Sequence, residues 1–298
     1  MIRFKGNPVL TKEDVPFSVN SIFNPGAVKY NGEYILLCRV EMPNGRSSFV
    51  IARSKDGYNF VVDKKLCLTP DDHGEFIKFT EWGIEDPRIT KLGDDFYIAY
   101  TGYSKYEPLV MLAKTRDFKN FKIMGPITEP SNKDAALFPQ KINGQYWKID
   151  RPSAETRRDI WINSSPDLIH WGNYQCLMEP TKGTWEDNKI GCSTQPIKTK
   201  DGWLMLYHGV RGFGISYLYK LGVVLLDLDK PYIVKGKSPV PILSPDEQYE
   251  RVGDVGNVVF ANGWIVEDNG DVLIYYSGAD TNICVATTSV DDLLSLCK

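Results

Sequence analysis

Short runs of alternating apolar and polar residues cover most of the chain, and tight turns separate them. The turns contain Asn-Gly, Gly-Asp or Asp-Gly pairs, in "YNGEY", "LGDDF", "INGQY", "KDGWL" and "DNGDV", and such pairs favour tight hairpins. Apolar and aromatic residues flank each turn with the period of two that is typical of strands. No segment keeps a helical period beyond a few turns, so the sequence predicts an all-β fold.

The same succession of strands and turns occurs five times along the chain. An apolar strand, a tight turn, an aromatic strand, a polar tip and a third apolar strand follow one another in residues 23–60, 85–121, 134–171, 191–231 and 256–294. Five such units predict a five-bladed β-propeller, a fold of four-stranded sheets around a central channel, formed by residues 1–298 as a single domain. The alternatives are a pair of β-sandwiches, which predicts no fivefold repetition, and a parallel β-helix.

Charge and composition argue against several classes of function. With 35 basic and 38 acidic residues, the formal net charge is -3, which provides no field to gather nucleic acid or an anionic membrane. No apolar run reaches the roughly eighteen residues of a membrane span. The start "MIRFKGNPVL" lacks the apolar core of a signal peptide, so we expect a cytoplasmic protein. The six cysteines and three histidines are scattered, which predicts reduced thiols and no metal site.

Polar residues interrupt the apolar pattern at corresponding places in the five units. In a propeller the innermost strand of each blade lines the channel, so we expect the residues that precede it to meet at one mouth. These residues are Asn24, Glu85, Asp86, Lys133, Asp134, Lys189 and Asp254. A second set follows the next strand of each unit: Arg39, Glu41, Tyr103, Arg151, His208 and Asp280. Because polar groups are costly to bury without partners, the two sets predict a polar pocket of ligand size.

The acidic pair in "GIEDPRIT" also has an ordinary structural explanation. Asp86 fits the cap of a turn, and Arg88 fits an ion pair with a neighbouring acid. Adjacent residues of an extended strand point to opposite sides, so we expect Glu85 and Asp86 not to flank one bond as a catalytic pair. Glu85 is expected to orient a ligand hydroxyl or Arg88.

The basic candidates differ in how strongly each one indicates a binding site. Lys133 and Lys189, each taken alone, are typical of solvated lysines. His208 fits a buried structural histidine as well as it fits a site residue. Arg39 directly follows the apolar strand "YILLC", so it needs an acidic or anionic partner.

The charges at the predicted mouth bear on the reaction. Glycoside hydrolysis commonly needs two carboxylates, an acid and a second group that serves as base or nucleophile. Asp86 is a candidate acid, but the other mouth positions carry Lys133, Arg151, Lys189 and His208. Such groups suppress a water-activating base and favour binding of a multiply charged anion. If that anion is phosphate, it can attack the anomeric carbon itself, and one carboxylate is enough.

At these residues the chain resembles the inverting β-mannoside phosphorylases of glycoside hydrolase family 130, which are five-bladed propellers. The resemblance extends from "FNPGAV" through "GIEDPRIT", "KDAALFPQKINGQY", "IDRPS", "GWLMLYHGV" and "LGVVLLDLDKP" to "VGNVVF" and "YYSGADT". It implies reversible phosphorolysis of a β-mannoside oligosaccharide, with inorganic phosphate as co-substrate and α-mannose 1-phosphate as product. The "KDAALFP" form is more similar to the branch that acts on β-1,2-mannobiose and β-1,2-oligomannan than to the mannosyl-glucose branch.

The resemblance also implies roles for the matching residues. Asp86 is implied as the catalytic acid, which passes its proton through a mannose hydroxyl to the glycosidic oxygen. The implied phosphate-binding residues are Lys133, Arg151, Lys189, His208 and Tyr219. The implied substrate-binding residues are Asn24, Arg39 and Asp280, with Tyr103 towards the acceptor. Glu85 is expected to bind substrate as well, by orienting a sugar hydroxyl. No metal or organic cofactor is implied, and the sequence is compatible with a homo-oligomer.

Three other functions stay open at this point. A β-1,4-mannosyl-oligosaccharide phosphorylase would differ only in its acceptor. A phosphate-independent β-mannosidase would use a carboxylate such as Glu41 or Glu85 to activate water. A propeller without catalytic activity would bind glycans or a protein partner through the same polar mouth.

Overall fold

The computed structural model describes residues 1–153, 158–214 and 216–298. These residues form mainly β-strands, which confirms the predicted all-β class. The few helices are short: two 3-10 helices, Lys12–Asp14 and Pro70–Phe79, and two α-helices, α1 (Gln248–Arg251) and α2 (Val290–Ser295). Within the described ranges, none has the length and apolar character needed to cross a membrane. The predicted third and fourth units include residues 154–157 and 215, which lie outside the described residues.

The first half of the chain forms two groups of four antiparallel strands, preceded by the short strand β1 (Ile2–Arg3). The first group is β2 (Ser21–Tyr30), β3 (Glu33–Glu41), β4 (Ser47–Ser54) and β5 (Val61–Leu68). The second group is β6 (Gly83–Leu92), β7 (Asp95–Tyr103), β8 (Leu109–Thr115) and β9 (Lys122–Pro126). One parallel pair, Ser47 with Gly83, joins the two groups into a sheet of eight strands.

The second half forms three further groups. The third is β10 (Asn132–Leu137), β11 (Tyr146–Pro152), β12 (Ile160–Ser165) and β13 (Gly172–Met178). The fourth contains β14 (Lys189–Cys192), β15 (Ile197–Lys198), β16 (Trp203–Phe213), β17 (Ser216–Leu226) and β18 (Val234–Lys237). The fifth is β19 (Val259–Val266), β20 (Asp271–Gly278) and β21 (Asn282–Ser289), completed by β1 from the other end of the chain. The sequence pattern did not predict this pairing, because β1 precedes the first repeat.

Hydrophobic cores lie between consecutive groups. The five clusters contain, in turn, Leu37 with Ile98, Val110 with Leu137, Ile149 with Trp203, Leu206 with Ile274, and Leu36 with Tyr275. Both faces of each group are therefore used, because strands with alternating side chains present one face to each neighbour. The last cluster joins the fifth group to the first, so every group packs against two others. Burial of each such side chain stabilises the fold by roughly 1.5–3 kcal/mol.

A repeated turn closes the third strand of the first three groups. In the first group, Ser54 Oγ accepts a hydrogen bond from the backbone N–H of Gly57, and Asp56 Oδ1 accepts from that of Asn59. Thr115 with Asp117 and Ser165 with Asp167 make the same contacts in the next two groups. Hydrogen bonds from backbone N–H groups lower the pKa of Asp117 to about 2. The similar pieces seen in the sequence are therefore turns in which side chains cap the backbone.

Candidate active site

The first strand of three groups carries the same local distortion at a predicted site residue. Asn24, Asp86 and Asp134 have positive φ angles of 46°, 54° and 55°. The pairing of strands changes register at each of them. A β-bulge of this kind re-aims a side chain, and Asn and Asp tolerate left-handed backbone better than most residues. Each group thus directs one polar side chain out of the regular alternation.

These side chains line one cavity of about 190 Å³. Of the predicted site residues, it brings together Asn24, Arg39, Glu85, Asp86, Lys133, Asp134, Arg151, Lys189, His208, Tyr219 and Asp280. They come from all five groups of strands, as the repeat predicted. Val255, Val258 and Phe260 complete the lining. Within the described ranges, no three His, Cys, Asp or Glu side chains are placed to hold a metal ion together.

One part of the cavity, called the acidic half, consists of Asn24, Arg39, Glu85, Asp86 and Asp280. Arg39 donates through Nη2 to Oε1 of Glu85 at 2.9 Å and through Nη1 to Oδ1 of Asp86 at 3.0 Å. Its third donor, Nε, binds Ser47 Oγ at 2.9 Å. The prediction that Arg39 has an acidic partner is confirmed, and the guanidinium holds both carboxylates in place.

The expectation that Glu85 and Asp86 point to opposite sides is wrong. Both carboxylates contact Arg39, because the register change between Glu85 and Arg88 interrupts the alternation at Asp86. Glu85 is paired with Arg39 and not with Arg88. The buried Arg88 instead donates to the carbonyl oxygens of Ser193 and Cys192, at 2.8 and 2.9 Å.

Asp86 is held as a carboxylate by its surroundings. Asn24 donates through Nδ2 to Oδ1 of Asp86 at 2.9 Å, and Ser277 in turn donates to Oδ1 of Asn24. Burial alone would raise the pKa of Asp86, but the charges of Arg39, Arg88 and Lys133 lower it below its ordinary value. Without a ligand, Asp86 is therefore ionised at neutral pH.

Asp280 shows the opposite behaviour. Burial and the nearby charge of Asp86 raise the pKa of Asp280 to about 6. Ser277 Oγ lies 3.3 Å from its Oδ1. In the acidic half, Asp86 thus stays ionised well below pH 6, whereas Asp280 becomes protonated at about pH 6.

The other part, called the basic half, consists of Lys133, Asp134, Arg151, Lys189, His208 and Tyr219. Its centre is the buried Asp134, whose Oδ2 accepts from Nε of Arg151 at 2.7 Å. Arg88 approaches Oδ1 of Asp134 at 3.4 Å. Lys133 acts electrostatically on both Asp86 and Asp134 and lowers the pKa of each. Arg88 acts more strongly on both carboxylates but is not part of the lining, so Lys133 is the lining charge that the two halves share.

His208 is a neutral imidazole in this environment. Its Nε2 lies 3.5 Å from Oδ2 of Asp134, and its Nδ1 lies 3.4 Å from Oγ of Ser193. Burial, followed by the charges of Arg151 and Arg88, lowers the pKa of His208 to about 3 against the opposing effect of Asp134. The approach of His208 to Asp134 is thus a contact between a neutral ring and a carboxylate, and not an ion pair.

Lys189 lies beside the ring of Tyr219, with Nζ 4.9 Å from the ring centroid. Burial and the charge of Arg151 lower the pKa of Lys189 to about 8. Burial raises the pKa of Tyr219 to about 12, so its hydroxyl stays protonated and can donate a hydrogen bond. At neutral pH the basic half therefore carries more positive than negative charge.

Sequence reasoning missed one residue that makes room for this arrangement. Gly191 lies opposite His208 in the pairing of β14 with β16. A Cβ atom there would come within 2.4 Å of His208 Cε1 and 2.7 Å of Asp134 Oδ2. Real Cβ atoms do not approach other atoms so closely, so a glycine is required for both side chains to reach the cavity. The only signal in the sequence is the glycine of "KIGC", directly after Lys189 and Ile190.

The acidic half and the basic half thus line one cavity. The family resemblance seen in the sequence is confirmed by comparison with known proteins. The family model of glycoside hydrolase family 130, described as β-1,4-mannooligosaccharide phosphorylase, matches residues 2–298. The chain belongs to this family.

Relatives within family 130 match along almost the entire chain. The chain is 37% identical over 303 residues to a β-1,2-mannobiose phosphorylase of Thermoanaerobacter sp. strain X514, with 96% of each protein covered. It is 34% identical over 304 residues to a β-1,4-mannooligosaccharide phosphorylase of Ruminococcus albus, covering 99% of this chain and 90% of that protein. Among solved structures, the Listeria innocua β-1,2-mannobiose phosphorylase in complex with β-1,2-mannobiose has a TM-score of 0.91 at 34% identity, with 99% and 98% of the chains covered.

Three predicted residues of this family 130 chain do not line the cavity. Tyr103 ends β7 and is 40% exposed, with its ring 5.4 Å from that of the exposed Trp82. Glu41 accepts a hydrogen bond from Asn20 at the surface. Asp254 is exposed, while its neighbour Val255 lines the cavity. The repeat placed these three residues at the mouth, but none of them belongs to the lining.

Proposed function

We propose that this chain is an inverting β-mannoside phosphorylase. It transfers a mannosyl group reversibly from a β-mannoside oligosaccharide to inorganic phosphate, giving α-mannose 1-phosphate and a shortened acceptor. The observation that carries this proposal is the division of one cavity into an acidic half and a basic half, with Lys133 as a lining charge that acts on carboxylates in both. The β-mannoside is β-1,2-mannobiose or a β-1,2-oligomannan.

The basic half is the proposed phosphate site. Lys133, Arg151 and Lys189 supply positive charge, and Tyr219 supplies a neutral hydroxyl donor. Arg151 uses Nε for Asp134, which leaves its two terminal nitrogens to bind phosphate oxygens in a fork. His208 completes this side as a neutral group, so its part is to fill and shape the site and to contact an oxygen through the ring.

Asp86 is the proposed catalytic acid, acting through a hydroxyl of the mannosyl group. A phosphate oxygen forms the new bond to the anomeric carbon while the bond to the glycosidic oxygen breaks. That oxygen receives a proton from the mannose hydroxyl, which takes one from Asp86. In net terms, the hydrogen of hydrogenphosphate ends on the released acceptor, so no second carboxylate is needed to activate water.

The low pKa of Asp86 without ligand suggests how the two substrates depend on each other. Asp86 must be protonated to act as an acid, yet Arg39, Arg88 and Lys133 keep it ionised. A phosphate dianion bound beside Lys133 opposes these positive charges, and we expect it to raise the pKa of Asp86. Phosphate then serves as the nucleophile and also favours the protonated form of Asp86 that the reaction needs.

The remaining residues of the acidic half are proposed to bind the mannosyl group. Asn24, Arg39, Glu85 and Asp280 present amide, guanidinium and carboxylate groups, which suit hydrogen bonds to sugar hydroxyls. Tyr103, together with Trp82, is proposed to lie towards the acceptor, outside the cavity that holds the reacting bond. No metal and no organic cofactor is part of the proposal.

We also propose that the five groups of strands are the blades of one β-propeller domain spanning residues 1–298. Support comes from the four-stranded groups, from the hydrophobic cores between consecutive groups, and from the packing of the fifth group on the first. Strand β1 then completes the last blade with residues from the opposite end of the chain. A cytoplasmic location and a homo-oligomer stay predictions from the sequence.

A second candidate activity is a β-1,4-mannosyl-oligosaccharide phosphorylase. The relative from Ruminococcus albus carries that activity in its name and is almost as similar as the β-1,2 relatives. Supplying mannose 1-phosphate with a panel of acceptors, in the synthetic direction, separates the two. A β-1,2-linked product with mannose as acceptor supports the first candidate, and a β-1,4-linked product supports the second.

Omission of phosphate tests the reaction class. We expect purified protein to cleave β-1,2-mannobiose only when phosphate is present. Equal cleavage in phosphate-free buffer would favour a β-mannosidase, in which case the double variant with Lys133→Ala and Arg151→Ala would keep most activity. The absence of turnover with all β-mannosides and acceptors would favour a binding protein.

A further inference from the structure

The basic half contains a carboxylate, Asp134, to which the proposed reaction assigns no role. We propose that Asp134 makes the anion site selective for tetrahedral oxyanions that carry a hydrogen atom, such as phosphate, over those that carry none, such as sulfate. The inference rests on the proposed function, since it assumes that the basic half binds phosphate.

The contacts of Asp134 leave it able to accept one more hydrogen bond. Its Oδ2 accepts from Arg151 at 2.7 Å and lies 3.5 Å from Nε2 of His208. Its Oδ1 has a longer contact, at 3.4 Å, with Arg88. A carboxylate oxygen has two acceptor positions, so Oδ1 keeps acceptor capacity in addition to this contact. Asp134 also belongs to the lining of the cavity, together with Lys133 and Arg151.

Asp134 is a carboxylate and not a carboxylic acid. Burial alone would raise its pKa, but Arg151 and Arg88 hold the pKa well below its ordinary value. The group can therefore accept a hydrogen bond but cannot donate one. Its negative charge lies within a site otherwise built to attract anions.

A carboxylate acceptor within a positively charged site distinguishes phosphate from sulfate, although the two anions are similar in size and shape. At neutral pH, inorganic phosphate carries at least one hydroxyl group, which can donate to Asp134. Sulfate carries no hydrogen, so one of its oxygens would face a buried carboxylate without a proton between them. A missing hydrogen bond to a buried charged group weakens binding by roughly 10- to 100-fold.

A second explanation for Asp134 is that it only positions Arg151. In that case, replacing it would weaken the binding of phosphate and sulfate by the same factor, because both anions use the same guanidinium. The ratio of the two dissociation constants therefore separates selectivity from positioning. The dissociation constant of one anion alone does not separate the two explanations.

The experiment is titration calorimetry of the full chain with phosphate and with sulfate, at pH 7.5 and constant ionic strength. The variants are Asp134→Asn and, as a control, Asp150→Asn. Asp150 is another buried aspartate of the same group, paired with Lys148 and outside the cavity lining. Asn suits position 134 because its φ of 55° is tolerated by asparagine. Circular dichroism verifies that each variant is folded.

We expect the unmodified protein to bind phosphate roughly 10- to 100-fold more tightly than sulfate. In Asp134→Asn this ratio falls to within a few-fold, since the amide can donate to either anion, whereas Asp150→Asn keeps it. Equal binding of the two anions by the unmodified protein overturns the inference and leaves the proposed phosphorylase intact; this comparison stands even if Asp134→Asn fails to fold. An unchanged ratio in folded Asp134→Asn also overturns it. Failure to bind phosphate at all overturns the proposed function, and the inference with it.

Discussion

Asn24 donates a hydrogen bond of 2.9 Å to Asp86, and both residues lie on β-bulges with left-handed backbone, in neighbouring groups of strands. The amide and the carboxylate are 62 positions apart in the chain. They meet because each bulge turns its side chain out of the strand's alternation and into the shared cavity. The same distortion at Asp134 serves the basic half. The same β-bulge thus places a different polar side chain in the cavity in each of these groups.

Removal of the proposed acid should abolish most turnover without loss of the fold. In Asp86→Asn the amide keeps the contact with Arg39 and tolerates the left-handed backbone, but it has no acidic proton to transfer. We expect kcat for phosphorolysis of β-1,2-mannobiose to fall by roughly 10²- to 10⁴-fold. The control is Asp95→Asn. Asp95 belongs to the same group of strands and pairs with Lys114 away from the cavity, so this variant should keep full activity. An Asp86→Asn variant with half or more of the original kcat would exclude Asp86 as the acid.

Asp280 should lower the stability of the protein at neutral pH. The pKa of Asp280 in the fold is raised from its ordinary 3.8 to about 6, so the folded state keeps a proton that the unfolded state has released. The group therefore costs no stability below about pH 4, and the free energy of unfolding falls as the pH rises from about 4 through 6. At pH 7.5 the ionised carboxylate costs about 3 kcal/mol.

Asp280→Asn should therefore be more stable than the unmodified protein at pH 7.5, and the gain should largely disappear at pH 4. The residue has a φ of 50°, which asparagine tolerates. Urea unfolding at the two pH values measures the difference. Activity of the same variant should fall, because the carboxylate is a proposed mannose ligand. Equal stability of the two proteins at pH 7.5 would contradict this account of Asp280.

Phosphate affinity should fall above about pH 8. Burial and the charge of Arg151 lower the pKa of Lys189 to about 8, so its ammonium group loses its proton as the pH rises through that value. We expect the phosphate dissociation constant to increase by roughly tenfold between pH 7 and pH 9. In Lys189→Arg the guanidinium keeps its charge over this range, and the increase should be much smaller. An identical pH dependence in the two proteins, measured by calorimetry, would rule out Lys189 as its origin.

Gly191 should be sensitive to the addition of a single methyl group. Gly191→Ala would place Cβ 2.4 Å from His208 and 2.7 Å from Asp134, so both side chains must shift. We expect the fold to lose about 1–3 kcal/mol of stability, the usual cost of overpacking, and phosphate binding to weaken because both side chains are displaced. Gly172→Ala is the control, since a Cβ there meets no atom within 4 Å and its φ is not positive. If the two variants bind phosphate equally well, the close approach at Gly191 has no functional consequence.

The sequence predicted the all-β class and ten of the cavity residues because both depend on repetition, while an eleventh, Tyr219, was implied by the family resemblance. Once the turns are aligned, Asn24, Asp86 and Asp134 occupy corresponding positions, and corresponding strands of a repeated unit place such residues at the same site. Regular alternation, however, gave the wrong orientation for Glu85 relative to Asp86. A β-bulge adds one residue to one strand, and a single sequence offers no periodic signal for it.

Charge interactions were the other part that the sequence did not reveal. Arg88 was expected to pair with a neighbouring acid, yet its partner Asp134 lies 46 positions away. Likewise, nothing in the sequence distinguishes the pKa of Asp86 from that of Asp280, which depends on burial and on three-dimensional distance. Gly191 was missed because its role is to leave space for His208 and Asp134, which only the folded arrangement makes visible.

The central claim is that phosphate, and not water, attacks the mannosyl carbon. Nuclear magnetic resonance of the products formed from β-1,2-mannobiose in the presence of phosphate tests it most directly. The account predicts one α-mannose 1-phosphate and one mannose for each mannobiose consumed, with inversion at the anomeric carbon. Two molecules of free mannose for each mannobiose, with no sugar phosphate, would contradict it.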